Sequence, residues 1–329
     1  MKGAGRGGPA GIGALGVLTA SVLWGTTGTA ATFAPGVGSL AIGAVAMGLG
    51  GLLQALVAAR RIARHAPALR EHRALVLLGA LSVAVYPLAF YTSMRLAGVA
   101  VGTVVSLGIA PLASALIERV LDGRRLTPRW TAAACLGLAG TVLLCLAEGG
   151  HRGAAGTSTA DTLLGIGLGV VAALTYALYS WVAHRLITRR IPSRAAMGAI
   201  FGLGGLFLLP VLFATGAPLL DSWGNAAVGV YMALVPMFLG YLLFGSGLAR
   251  VPASTATTLS LLEPAVAAVL AVLIVGERLP AAGWTGVALV VACLVVLTAP
   301  TGGGRRPLAA GRAATTAGLE EAAAAHRAD

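Results

Sequence analysis

Residues 252–275 read PASTATTLSLLEPAVAAVLAVLIV and carry a single charge, Glu263. An apolar run of about 20 residues crosses the roughly 30 Å hydrocarbon core of a bilayer as a helix, and Glu263 falls near its middle, roughly 17 Å from either end at about 1.5 Å per residue. A charge at that depth costs about 2.5–3.5 kcal/mol even on insertion-based scales. The residue therefore has a reason to be there. It is either a carboxylate that couples protons or binds substrate in a polar cavity, or a structural carboxyl, protonated or capping a broken helix, with no part in transport.

The rest of the chain has the same character. It is 57% hydrophobic and 10% charged, with mean hydropathy +0.89, whereas a soluble chain is about a quarter charged. Apolar runs predict helices near 11–32, 38–58, 74–94, 98–117, 130–148, 162–184, 195–215, 225–247, 252–275 and 281–299, an all-α integral membrane protein of ten transmembrane helices. The first run follows Met1 to Arg6 like a signal peptide, but its length and the nine runs behind it make it an uncleaved span. Residues 300–329, rich in Gly, Ala and Arg, predict a disordered cytoplasmic tail.

Basic residues orient the spans, because cytoplasmic loops retain Lys and Arg. With the N-terminus inside, the outside loops hold only Arg95, Arg152 and Arg278 of the 23 basic residues. Both termini are thus expected in the cytoplasm, with the chain in the cell (plasma or inner) membrane.

The halves also repeat. Sliding Ser93–Leu126 onto the later half at one constant offset places Ser93 on Ser246, Ala100 on Ala253, Pro111 on Pro264, Ala115 on Ala268, Gly123 on Gly276, Arg125 on Arg278 and Leu126 on Leu279. Charge bias is reversed between matching loops. Arg119, Arg124, Arg125 and Arg129 surround the loop between the fourth and fifth helices, against Arg278 alone in its counterpart. Five crossings are an odd number, so a duplicated five-helix unit inserts upside down, and two inverted repeats are an architecture of alternating-access transport.

Enzyme chemistry lacks its parts. The sole lysine is Lys2, which excludes a Gly-x-x-x-x-Gly-Lys phosphate loop, and neither His-Glu-x-x-His nor Gly-x-Ser-x-Gly occurs. No cofactor or metal is called for. Cys135, Cys145 and Cys293 lie inside spans without ligand spacing and read as thiols packed among apolar neighbours. The net charge of +12 comes from short arginine runs at span ends, where anionic headgroups lie; it does not form a continuous face for nucleic acid. Gly165-x-x-x-Gly169 and Gly198-x-x-x-Gly202 read as close helix packing.

Prolines mark the centre of the bundle. Pro264 lacks the N–H that would bond the carbonyl of Ser260, and Pro111 does the same for Leu107. Pro87 and Pro236 sit at similar depths in the third and eighth helices. Interrupted spans at matching places of two repeats point to a central site. Trp24 and Tyr176 fall at equivalent positions deep in the first and sixth helices, and Tyr86, Tyr91 and Tyr241 lie near the bends. With Thr26, Ser106 and Ser260 they offer hydrogen bonds and π-faces to an amine or zwitterion, or else simply pack the core. No buried Lys or Arg awaits a multiply anionic substrate.

Trp24-Gly25, a Tyr-rich third helix ending in Ser93, Leu262-Glu263-Pro264, Gly276-Glu277-Arg278-Leu279 and Trp284-Thr285-Gly286 together resemble the EamA-type domain of the drug/metabolite transporter superfamily. The domain occurs twice, over about 11–148 and 162–299. The resemblance implies ten helices in inverted repeats around a central cavity, and efflux of amino acids, related metabolites or drugs driven by protons. The first repeat departs from the pattern, with Ala110-Pro111 in place of Glu263-Pro264 and Arg124 in place of Glu277. Glu277 reads as a structural residue near a helix end, partnered by Arg278 or a backbone N–H.

The expectation is a secondary transporter exporting small molecules, with protons and membrane lipid as its other partners. Helices 1, 3, 4, 6, 8 and 9 line the cavity, and Glu263 is its key residue. Uptake by the same fold, and a non-transporting role as sensor or scramblase, are the alternatives. Oligomeric state is left open.

Overall fold

The computed structural model describes residues 9–149, 158–276 and 279–299. Ten helices are long and apolar enough to cross a membrane: α1 (Ala10–Ala31), α2 (Ser39–Arg64), α3 (Arg73–Ala97), α4 (Val101–Asp122), α5 (Pro128–Ala147), α6 (Thr159–Thr188), α7 (Ser193–Thr215), α8 (Trp223–Leu248), α9 (Ala253–Ile274) and α10 (Ala281–Thr298). There is no strand among the described residues. Several helices outrun the expected spans. α2 continues through Arg60, Arg61 and Arg64, and α4 reaches Asp122; counting apolar residues measures only the hydrocarbon crossing, while charged good helix formers carry the helix on into the headgroup layer.

Packing follows the repeat. α1 lies against α8 and α9, and its counterpart α6 lies against α3 and α4. The pairs α2–α7, α4–α9 and α5–α10 join each helix to its own counterpart, which is the correspondence that two inverted five-helix repeats require. α4 and α9 both end at a glycine in the left-handed region, Gly123 (φ 65°) and Gly276 (φ 78°), a conformation that costs glycine least.

Small residues bring the self-equivalent pairs together. A Cβ added at Gly140 would lie 2.8 Å from the Gly286 carbonyl, and one at Gly286 would lie 2.7 Å from that of Gly140. On the α2–α7 seam a Cβ at Gly202 would meet that of Ala55 at 2.4 Å. Backbones approach this closely in membranes because lipid gives no hydrophobic drive to association, leaving contact and packing to supply it. Cys145 and Cys293 are buried, Cys135 is exposed on the outer surface of α5, and none of the three forms a disulfide. Glu277, Arg278, Arg152 and the 300–329 tail lie outside the described residues.

Candidate functional site

α9 is broken in the middle of the bundle. Its first segment ends at Leu259, a turn occupies Ser260 and Leu261, and the helix resumes at Leu262. The Glu263 N–H donates to the Ser260 carbonyl at 2.9 Å. This corrects the expectation that Pro264 leaves that carbonyl free: the turn tightens to a shorter hydrogen-bonded ring and satisfies it. Glu263 thus stands in the first turn of the second segment, where the positive end of the helix dipole favours a carboxylate. At the equivalent place α4 widens into a π-turn over Val104–Gly108. α8 does so over Ala233–Leu239, around Pro236, whereas α3 absorbs Pro87 without interruption.

A cavity lies beside the α9 break. Trp24, Tyr86, Pro87, Tyr91, Tyr176, Tyr241 and Glu263 all line it, so most of the residues singled out from sequence are brought together. Thr27, Phe90 and Met237 complete these walls, and α2 adds Gly43, Ala46 and Met47. The space between atoms is about 450 Å³, of which about 30 Å³ is open to the centre of a water molecule. The site is contracted around its lining. Among the described residues the Glu263 carboxylate has neither an ion-pair nor a hydrogen-bond partner, and no Lys or Arg faces it across the cavity.

The expected lining by α4 is corrected. Ser106 and Pro111 are buried but are not among the cavity's lining: the Val104–Gly108 turn packs on α5 and α6, and the rest of α4 on α6 and α9; the Ser106 hydroxyl is enclosed without a partner among the described residues. α2 takes its place. A Cβ at Gly43 would lie 2.6 Å from the Tyr91 ring, so a glycine is what lets α2 and α3 close on the site. Pro236 and Pro264 are buried behind the wall.

The aromatic lining is held by hydrogen bonds, some of them to Ser260 and Tyr179, which do not themselves line the cavity. Trp24 Nε1 donates to the Pro236 carbonyl at 2.9 Å, in the π-turn, and Gly240 leaves room for the indole: its Cβ would lie 2.8 Å from Nε1. Tyr176 OH donates to Ser260 Oγ at 2.8 Å, and Ser260 Oγ donates on to the Thr257 carbonyl. The Tyr179 and Tyr241 hydroxyls pair at 2.8 Å. Trp24 and Tyr241 have ring centroids 4.8 Å apart, and Tyr86 and Tyr176 5.5 Å. Thr26 instead bonds the Tyr231 hydroxyl at 2.7 Å.

Thr27, Gly43 and Tyr91 lie toward the ends of α1, α2 and α3 that meet at the α1–α2 and α3–α4 connections. The opposite face, where α1 begins, is closed by polar contacts that the sequence did not reveal. Asp122 of α4 accepts from Arg185 and, at 2.7 Å, from the Trp181 indole of α6. Glu118 of α4, 2% exposed, accepts from Ser254 of α9 through both Oγ (2.6 Å) and N–H (3.3 Å). His184 Nδ1 meets the Leu248 carbonyl at 2.7 Å. The available signal was the pair of acids four residues apart, on one helical face, just past the counted end of the fourth span.

Comparison with known proteins accords with this architecture. The sequence pattern of the EamA-like transporter family matches residues 11–146 and again 163–299. A Bacillus subtilis protein named uncharacterized transporter YwfM is 33% identical over 284 residues, 86% of this chain and 92% of that one. A probable terminal-alkyne amino-acid exporter of Streptantibioticus cattleyicolor is 31% identical over 61% of this chain and 64% of its own. The threonine/homoserine exporter RhtA of Salmonella typhimurium is 28% identical over 41% of this chain and 43% of its own. A solved crystal structure superposes with a TM-score of 0.71 at 23% identity, covering 86% of this chain and 95% of that one, which shows a shared fold. With that match across both halves, the chain belongs to the EamA-like transporter family.

Proposed function

We propose that this transporter exports amino acids or related amines in exchange for protons, and that Glu263 is the group both cargoes use. The observation that carries the reading is the unpaired Glu263 carboxylate in a cavity walled by Trp24, Tyr86, Tyr176 and Tyr241. A substrate ammonium gains a counter-charge from the carboxylate and π-faces from the rings, worth about 2 kcal/mol or more when desolvated. The same oxygens cannot hold a proton and pair with the ammonium at once. Mutual exclusion at one carboxylate supplies the competition that antiport requires, and an unpaired buried charge, costly in hydrocarbon, disfavours switching with the site empty.

The relatives named as amino-acid exporters support the substrate class. The halves 11–148 and 162–299 are the two moving bodies in this reading, and the bias of Lys and Arg toward one face supports cytoplasmic termini. The test is counterflow in proteoliposomes with labelled amino acids, amines and nucleosides while internal pH is recorded. Accumulation of an amino acid or amine with matching proton movement is the expected result. Flux without proton movement would remove the coupling, and flux of nucleosides alone would overturn the substrate class.

A further inference from the structure

A second concavity lies away from the transport cavity, on the outer surface between α2, α3 and α7. It is a groove with about 830 Å³ open to water-sized molecules, many times the open volume of the transport cavity and within the range of roughly 300–1,000 Å³ usual for small-ligand sites. Leu52, Ala55 and Ile62 of α2 form one wall and Ala74 and Leu77 of α3 the other, with Gly202, Leu203 and Leu206 of α7, which packs against both helices, as the floor. From Ile62 down to Leu52 is about 15 Å of helix. That is about half the hydrocarbon thickness, one leaflet.

The mouth of the groove is different. The short helix Ala66–Glu71 joins α2 to α3 there; its Leu69 is buried against the groove, while Arg70 and the following Arg73 stand at the rim. Both arginines are exposed, and among the described residues neither has an ion-pair partner. Arg189 approaches the neighbouring His72 at 3.1 Å, and Arg61 and Arg64 end α2 beside it. Glu71 is the one acid in this group, so the mouth is strongly basic. An apolar slot one leaflet deep beneath two unpaired guanidiniums matches an acyl chain beneath a phosphate.

We propose that this groove is a binding site for an anionic phospholipid, its headgroup held by Arg70 and Arg73 and one chain lying along α2 and α7. Polar and cationic ligands are excluded by the apolar walls and the basic mouth, and a zwitterionic lipid forfeits the net charge that the arginines recognise. The site is independent of Glu263 and of what is transported.

Native mass spectrometry of the full-length chain, with phosphatidylglycerol or phosphatidylcholine added at equal concentration, tests it. The wild-type chain is expected to retain phosphatidylglycerol about 30-fold more strongly than the Arg70→Ala/Arg73→Ala double variant, the equivalent of about 1 kcal/mol for each arginine at an anionic surface, with phosphatidylcholine unaffected. Both side chains are exposed, so the variant folds. Ala199→Phe, which fills the groove and leaves the arginines intact, is expected to lose the lipid as well. Equal retention of the two lipids by the wild type would overturn the proposal. So would phosphatidylglycerol binding that survives the double substitution, retention of water-soluble glycerol phosphate in place of lipid, or a lipid-free dimer that Ala199→Phe dissociates.

Discussion

Glu118 and Ser254 are 136 residues apart in sequence, yet the hydroxyl and the backbone N–H of Ser254 both donate to one Glu118 carboxylate. An acid of the first repeat thereby satisfies an orphan N–H in the first turn of α9 and complements its dipole. Arg124 stands 3.9 Å from the same carboxylate.

Removing that carboxylate leaves the α9 terminus without its acceptor. Glu118→Ala is expected to cost about 1–3 kcal/mol, the range for leaving a buried donor unpaired, and Ser254→Ala less, because its N–H keeps the acid. Thermal unfolding in detergent measures both. If the two losses simply add in the double variant, the contact is not the source of the stability.

Asp122 ties α4 to Arg185 and Trp181 of α6 on the face where α1 begins. Asp122→Asn weakens that closure by about 1 kcal/mol, the value for a partly exposed pair, and so raises the population open on that face about fivefold. Alkylation of a cysteine placed at Met47, assayed in oriented vesicles from the face where α1 begins, should accelerate by that factor. An unchanged rate would show that the contact does not hold this face shut.

Glu263→Gln keeps the shape of the side chain and removes its ability to exchange a proton. The variant is expected to insert and melt like the wild type while its flux no longer responds to an imposed pH gradient. Wild-type, gradient-driven accumulation by Glu263→Gln would exclude the carboxylate from coupling.

Trp24→Phe separates the indole's hydrogen bond to Pro236 from its ring packing against Tyr241 and Phe244. The expected loss is about 0.6 kcal/mol, the average for hydrogen bonds between membrane helices. Gly240→Ala, whose methyl would press on Nε1, should lower both melting temperature and flux. Flux unchanged in Gly240→Ala would show that the indole's position is unimportant to transport.

Span number and repeat were legible because crossing hydrocarbon demands about 20 apolar residues wherever it happens. The α9 break was legible from Pro264, but the fate of the Ser260 carbonyl depended on which turn the chain would adopt. Helix rotation was the harder problem. In lipid both the outward and inward faces of a helix are apolar, so α4 gave no sign that its Ser106 turn packs on α5 and α6 and leaves the cavity to others. Nor do Gly43 and Ala46 advertise themselves: their contribution is the absence of bulk, visible only once α3 is against them. Glu118 escaped because α4 continues beyond the apolar count, through residues that a hydropathy window assigns to a loop.

The backbone contact between Gly140 and Gly286 also constrains how the cavity can open. With each glycine seated against the other's carbonyl, α5 and α10 have no slack along their seam, and Arg129 Nε fastens them again at the Val296 carbonyl, 2.6 Å away. No residue of either helix lines the cavity, so a pivot on this seam is expected to leave the lining itself intact. A small tilt there would become a larger displacement at Trp24 and Tyr91, as at the free edge of a door, and Gly140→Ala, which presses on the Gly286 carbonyl, is expected to slow flux without altering any residue of the cavity lining.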